Sequence, residues 1–192
     1  MDLDPNSKLK LLFISADKFP PFRVDISVLF GKEIVSRGHN IDWILQSEKP
    51  LKHAYETHWS GCTVFVGPSY SATSIINRCK NHMHGLFHDF KMFRLLKRGK
   101  YHLIIVRDKF ISGLLAIVAS RLFGITFIYW LSYPFPEASL FRVKDGTARY
   151  PLLYWVRGNI FSFLLYRILL PIADHVFVQT EEMLSLIHIS EP

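Results

Sequence analysis

The stretch that decides the fold is Lys8–Leu45, KLKLLFISADKFPPFRVDISVLFGKEIVSRGHNIDWIL. Lys8 to Ser15 is a short apolar run of the kind found in strands covered on both faces. A loop with Pro20 and Pro21 follows, and then Val24, Val28, Gly31 and Val35 recur at helical spacing, which predicts a helix from Val24 to Arg37. Gly38 stands just past its last turn, where glycine usually ends a helix. Ile41 to Leu45 is a second apolar run. Strand, helix and strand in this order make a β-α-β crossover, which sets its two strands parallel.

The pattern continues outward from there. Thr63 to Val66 reads as a third strand, ended by Gly67-Pro68. A helical stretch is expected from Ala72 to Arg98, broken near Gly85. Tyr101 to Val106, YHLIIV, is the strongest strand signal in the chain. Phe110 to Phe123 is almost wholly apolar and predicts a buried helix, terminated by Gly124. Ile125 to Leu131 is a strand and is followed by a proline-rich loop. Pro151 to Leu170 predicts a helix with an aromatic face, and His175 to Gln179 a last strand. Thr180 with Glu181-Glu182 opens a further helix. The class expected is α/β: a Rossmann-like, doubly wound, mostly parallel sheet with helices on both faces. Neither an internal repeat nor a low-complexity linker divides it.

Composition agrees with a folded domain. Of 192 residues, 49% are hydrophobic and 20% charged, which argues against disorder. The formal net charge is +7, with Lys91, Arg94, Lys97, Arg98 and Lys100 crowded together. Such a cluster suits an anionic lipid, a phosphorylated ligand or nucleic acid, and is also what a solvated helix face looks like. The two cysteines, Cys62 and Cys79, have no metal-type spacing and fit a reduced, cytoplasmic setting. The opening MDLDPNSKLKLLFIS has neither signal-peptide nor transit-peptide character. Phe110–Pro136 carries a single charge, Arg121, but Gly124 splits it into halves too short to span a bilayer. Leu152–Ala173 is likewise interrupted, by Arg157, Gly158, Arg167 and Pro171.

The order of segments resembles the amino-terminal domain of the GT-B glycosyltransferases that retain anomeric configuration, family 4 or group 1. KEIVSRGHNIDWIL is similar to that family's E-L-x-x-R-G-H-x-V-x-V-x run, and the segment around it to the first strand, loop, helix and second strand. YHLIIVRDKFISGLLAIVASRLFGITFIYWLSYPFP resembles the strand, helix and strand that lead to the acceptor cleft. ADHVFVQTEEM resembles the strand and turn near the end of the domain. The chain departs from the family in two places. Its first loop, Asp17 to Asp25, has no glycine, and Leu131-Ser132-Tyr133 stands where many relatives carry a histidine.

The resemblance implies that residues 1–183 are the acceptor-side half of such an enzyme. Residues 184–192, LSLIHISEP, resemble translated sequencing-adapter sequence and are expected to be a non-native tail. In the family an acidic pair separated by seven residues belongs to the donor half, which the resemblance does not place within Met1–Met183. The full-length parent is thus expected to transfer a sugar from a nucleotide-sugar donor to a glycan or lipid-linked acceptor in cell-envelope polysaccharide synthesis. A carboxy-terminal domain would bind that donor, and the fragment is expected to be inactive alone. Metal and cofactor are expected to be absent from this half. The partners expected are a sugar or lipid-linked acceptor and the anionic inner face of the cell membrane, with no nucleic acid. A non-catalytic α/β ligand-binding module and a small membrane-associated protein remain as other readings.

Doubly wound sheets bind ligands beyond the carboxyl ends of their strands, so the candidate site residues are those just after each strand. After the first strand these are Asp17, Lys18 and Arg23, the last a bidentate donor to a phosphate or acid. After YHLIIV come Arg107 and Asp108, which suit either a ligand or an ion pair that caps the next helix. Ser132, Tyr133 and Glu137 follow ITFIYWL in a loop stiffened by Pro134 and Pro136. Their mix of aromatic and polar groups suits a sugar, and Glu137 could orient an acceptor hydroxyl. Thr180 is a candidate that an ordinary N-cap also explains. His82, His84 and His88 form an HxHxxxH cluster without the rest of a ligand pattern.

Overall fold

The computed structural model describes residues 8–71, 74–181, 183 and 185. Two compact units divide the chain, Met1–Phe127 and Ile128–Pro192. In the first unit five strands lie in the order β3-β4-β2-β1-β5. They are β1 (Lys10–Phe19), β2 (Asn40–Ser47), β3 (Tyr55–Trp59), β4 (Cys62–Gly67) and β5 (Leu103–Arg107). All neighbours are parallel except β3 and β4. In the second unit β6 (Thr126–Leu131), which enters it at Ile128, pairs in parallel with β7 (His175–Val178). The chain is α/β and Rossmann-like, with mostly parallel strands, as expected.

Helices cover both faces of the first sheet, which explains its unbroken apolar strands. Phe13 and Trp43 are register partners and stack at 4.7 Å. Phe30, from the helix after β1, meets the Phe13 ring edge-on at 4.8 Å. Phe65 looks out of the opposite face, where Lys91 lies over its ring. There α1 (Ile75–Asp89) and α2 (Lys91–Arg98) pack, followed by α3 (Phe110–Phe123). Leu12, Ile14, Ile41, Ile44, Val64, Ile104 and Val106 are fully buried between these layers.

Several boundaries differ from the sequence reading, each for a local reason. The helix after β1 is present, but over Asp25–Ile34 it winds with π rather than α hydrogen bonding. Its end is as read: Gly38 has φ 89° and donates to the Val35 carbonyl. The stretch read as one helix broken near Gly85 breaks at Phe90 instead. Gly85 lies inside α1, where a Cβ would stand 2.7 Å from the Gln46 amide nitrogen, so the glycine serves close packing. β3 was not expected. It is joined to β4 by Ser60-Gly61, both at positive φ as a tight hairpin turn requires. Residues 72 and 73 of the expected helix lie outside the described residues.

The proline-rich loop after β6 is largely a helix, α4 (Phe135–Lys144), with Pro136 in its first turn, where a missing N–H costs nothing. α4 packs on α5 (Pro151–Phe163), which continues as a π-wound turn, Leu164–Leu169. Gly158 makes that contact close, since a Cβ there would lie 2.8 Å from the Leu140 side chain. The expected burial of α3 holds for only part of its surface: Ile111, Val118 and Leu122 are exposed. Among the described residues no helix is long and apolar enough to cross a membrane. Of the tail read as non-native, only Ser185 is described and the rest lies outside the described residues.

Candidate functional site

The parallel register brings Ser15, within β1, beside Arg107 at the carboxyl end of β5. Arg107 is wholly buried, a costly place for a cation unless anions surround it. They do. Its Nη2 donates to Asp25 Oδ2 at 2.6 Å and its Nη1 to Asp17 Oδ2 at 3.4 Å, while Asp108 Oδ2 lies 3.8 Å from Nε. The Ser15 hydroxyl also donates to Asp17 Oδ2. Asp17 therefore presents a fixed carboxylate whose Oδ1 has no hydrogen-bond partner among the described residues. Asp17 and Asp25 remain partly exposed, at 14% and 26% of their side chains, so solvent or a ligand reaches them.

A second polar cluster lies at the same end of β1. Asp89, at the end of α1, is fully buried and takes hydrogen bonds from Lys109 Nζ at 2.7 Å and from the Ser112 hydroxyl. Lys18 Nζ donates to Gln46 Oε1 at 2.8 Å, and Gln46 Nε2 in turn donates to the Asn81 carbonyl at 2.9 Å. Burial, reinforced by Lys109 and opposed by Asp89, pushes the Lys18 amine below its ordinary value. Asp108, at φ 54°, turns the chain sharply between β5 and Lys109.

The sequence-derived candidates thus separate. Asp17, Lys18, Arg107 and Asp108 gather at the carboxyl ends of β1 and β5. Arg23 pairs with Asp25 at 3.5 Å rather than standing as an open phosphate donor. The N-cap of α3 is Lys109, without a side-chain cap bond, and Asp108 precedes it and pairs with Arg107 at 3.8 Å, the ion pair that the sequence offered beside a ligand role. In the second unit Ser132 is buried at the end of β6, and Tyr133 is exposed with its ring against Phe135 at 4.8 Å. Glu137 belongs to the first turn of α4, not to a loop. Thr180 acts as the N-cap it resembles: its Oγ1 accepts from the Met183 amide at 3.2 Å. Asp25, Asp89, Lys109 and Gln46 were not anticipated from sequence.

The histidines disperse too. His88 lies with its ring against Gly67 and donates from Nε2 to the Phe65 carbonyl at 3.0 Å, and burial lowers its basicity. His84 lies tilted against the Tyr70 ring at 5.0 Å. Among the described residues no group of three or more metal-type ligands converges. A shallow depression of about 580 Å³, lined by Phe93, Arg94, Lys97, Arg98 and Phe123, lies at the C-terminal ends of α2 and α3. Those helices run back from the carboxyl ends of the strands, so this basic hollow lies toward the strands' amino ends, away from the Arg107 cluster.

Two phenols are held protonated. Burial, then a hydrogen bond to Asp42 and its charge, raises Tyr101 far above the ordinary phenol range. Burial, then the neighbouring Glu137 carboxylate, raises Tyr166 in the same direction. Glu137 Oε2 and the Tyr166 hydroxyl are both buried beside each other. The fold keeps two protons that the unfolded chain loses near pH 10. Their stabilisation is complete below about pH 10 and is lost as pH rises beyond it. Ultraviolet titration of the eight tyrosines should show two that ionise only on unfolding. Tyr101→Phe and Tyr166→Phe should each remove one of them.

No family model matches the chain, and no curated protein matches it. Among solved structures it is similar to that of Phytolacca americana UGT2 complexed with UDP-2-fluoro-glucose and pterostilbene, with a TM-score of 0.42 and 17% identity. The match covers 75% of this chain, which spans only 36% of the length of that one.

Proposed function

We propose that this chain is the acceptor-side domain of a glycosyltransferase and that the carboxyl ends of β1 and β5 hold the acceptor's hydroxyl groups. The observation that carries this is the buried Arg107, which fixes Asp17 and Asp25 at an accessible strand edge. A polyol is recognised by acceptors already locked in place, because binding then orders few protein groups. Asp17 Oδ1 is such an acceptor. Lys18 stands beside it in sequence and adds a partly desolvated donor. The order of motifs from Leu9 to Met183 supports the retaining family 4 type of GT-B enzyme. On this reading the nucleotide-sugar donor and the cations that neutralise its departing diphosphate belong to a second domain. The acceptor is a glycan or a lipid-linked sugar.

Saturation-transfer NMR against a panel of mono- and disaccharides tests the reading on this chain. At least one sugar should give transfer, and Asp17→Asn should weaken it about tenfold, as the loss of a charge-assisted hydrogen bond implies. The melting temperature should also fall by a few degrees, because Asp17 is one of the carboxylates that compensate the buried Arg107. Binding of phosphate or nucleotide through Lys18, with no sugar bound, would instead favour an anion-binding module.

A further inference from the structure

α5 is turned inside out. Leu152, Val156, Ile160 and Phe163 recur at helical spacing and, with Leu153 and Trp155, occupy a single arc of the helix. On this arc Leu152 is 76% exposed, Leu153 62%, Phe163 60%, Trp155 53% and Ile160 51%. The opposite side carries Gly158, pressed against Leu140, and the buried Leu165. An ordinary surface helix buries its apolar stripe and shows charge to water. Here the small residue faces inward and the large apolar ones face out. Scattered exposed leucines are normal, but a continuous apolar face on one helix marks a contact surface.

Charge identifies what covers it. Between Asp145 and Asp174 the chain has no carboxylate, while Arg149, Arg157 and Arg167 are all exposed. Among the described residues none of the three is paired with an acid. Arg149 and Arg157 instead lie over the rings of Tyr150 and Phe161, each at 5.5 Å. An apolar arc with tryptophan, fringed by arginine and free of acid, is the composition of a helix that lies in the headgroup layer of an anionic bilayer. We infer that α5 docks this chain onto the surface of an anionic membrane, with Leu152, Trp155, Ile160 and Phe163 entering the headgroup boundary and the arginines meeting lipid phosphates. The inference does not depend on the sugar site, since its test contains no sugar.

The test is flotation of the full chain with phosphatidylcholine vesicles, with or without about 30% phosphatidylglycerol. The wild-type chain should float with the anionic vesicles and far less with the neutral ones. Leu152→Ser combined with Phe163→Ser should weaken partitioning at least about tenfold, since two apolar side chains no longer leave water. Arg149→Gln, Arg157→Gln and Arg167→Gln together should weaken it about 100-fold on anionic vesicles, at roughly tenfold or less per arginine. All five positions are exposed, so circular dichroism should report intact folding in both variants. Undiminished flotation of the Leu152→Ser/Phe163→Ser variant would overturn the inference and move the contact to another basic surface such as Arg94–Arg98. A soluble dimer that this variant dissociates, with no flotation of the wild type, would overturn it in favour of a second copy of the chain.

Discussion

Arg107→Met is expected to lower the unfolding free energy by about 3–5 kcal/mol, because it strips a buried guanidinium from beneath two carboxylates. The loss has two parts. Methionine fills much of the volume, so the cavity left behind is modest. The larger part is that Asp17 and Asp25, both anchored near the end of β1, keep their charge and lose the cation between them. Urea unfolding of the single and double variants separates the two. If charge dominates, Asp25→Asn added to Arg107→Met should recover part of the deficit, although Asp25→Asn alone destabilises by removing the negative charge from a 2.6 Å hydrogen bond to Arg107. Strict additivity would mean that Arg107 acts by packing alone. The same double variant should still fail to bind sugar in the NMR assay, since Asp17 has lost the group that aims it.

The parts of this arrangement that can be read from sequence are those set by position along a strand or a helix. β1, β2, β4 and β5 announce themselves because both of their faces are covered, so each is an unbroken apolar run. α3 was legible at both ends because Gly124 takes the left-handed conformation that closes it, at φ 64°. β3 was hidden because an edge strand can afford polar residues: Tyr55-Glu56-Thr57-His58-Trp59 alternates weakly, and Ser60-Gly61 was its one clear signal. α4 was hidden because Pro134 and Pro136 read as loop residues, although proline is at home in the first turn of a helix. The site divides in the same way. Asp17 and Lys18 lie in the last residues of β1 and Arg107 ends β5, near the strand ends where a doubly wound fold places its ligands. Asp25 and Asp89 lie within helices, and only tertiary packing brings Asp25 to Arg107, 82 residues away, and Asp89 to Lys109, 20 residues away. No local pattern encodes such a pairing.

Asp89→Asn should be the other severe substitution, costing about 3 kcal/mol near pH 7. Asp89 is fully buried, and its charge compensates Lys109, whose side chain is only 16% exposed. Asparagine preserves the shape and can still accept from Ser112, so the loss reports charge more than hydrogen bonding. The variant should also reveal Lys18. Burial and then Lys109 lower the Lys18 amine, and Asp89 is what opposes them. With Asp89 neutral, Lys18 moves further below its unfolded value of about 10.5. A lysine depressed on folding destabilises the native state while solution pH keeps it protonated in the unfolded chain, and this penalty disappears as pH rises toward that unfolded value. The Asp89→Asn deficit should therefore be largest near pH 7 and shrink as pH approaches about 10. Urea unfolding of both proteins across that interval measures it. A deficit that stays constant would show that the Asp89 carboxylate matters to Ser112 and the α3 start alone. A deficit that shrinks, and that Lys18→Met abolishes the pH dependence of, would show that one buried carboxylate holds both lysines at the edge where the acceptor is proposed to bind.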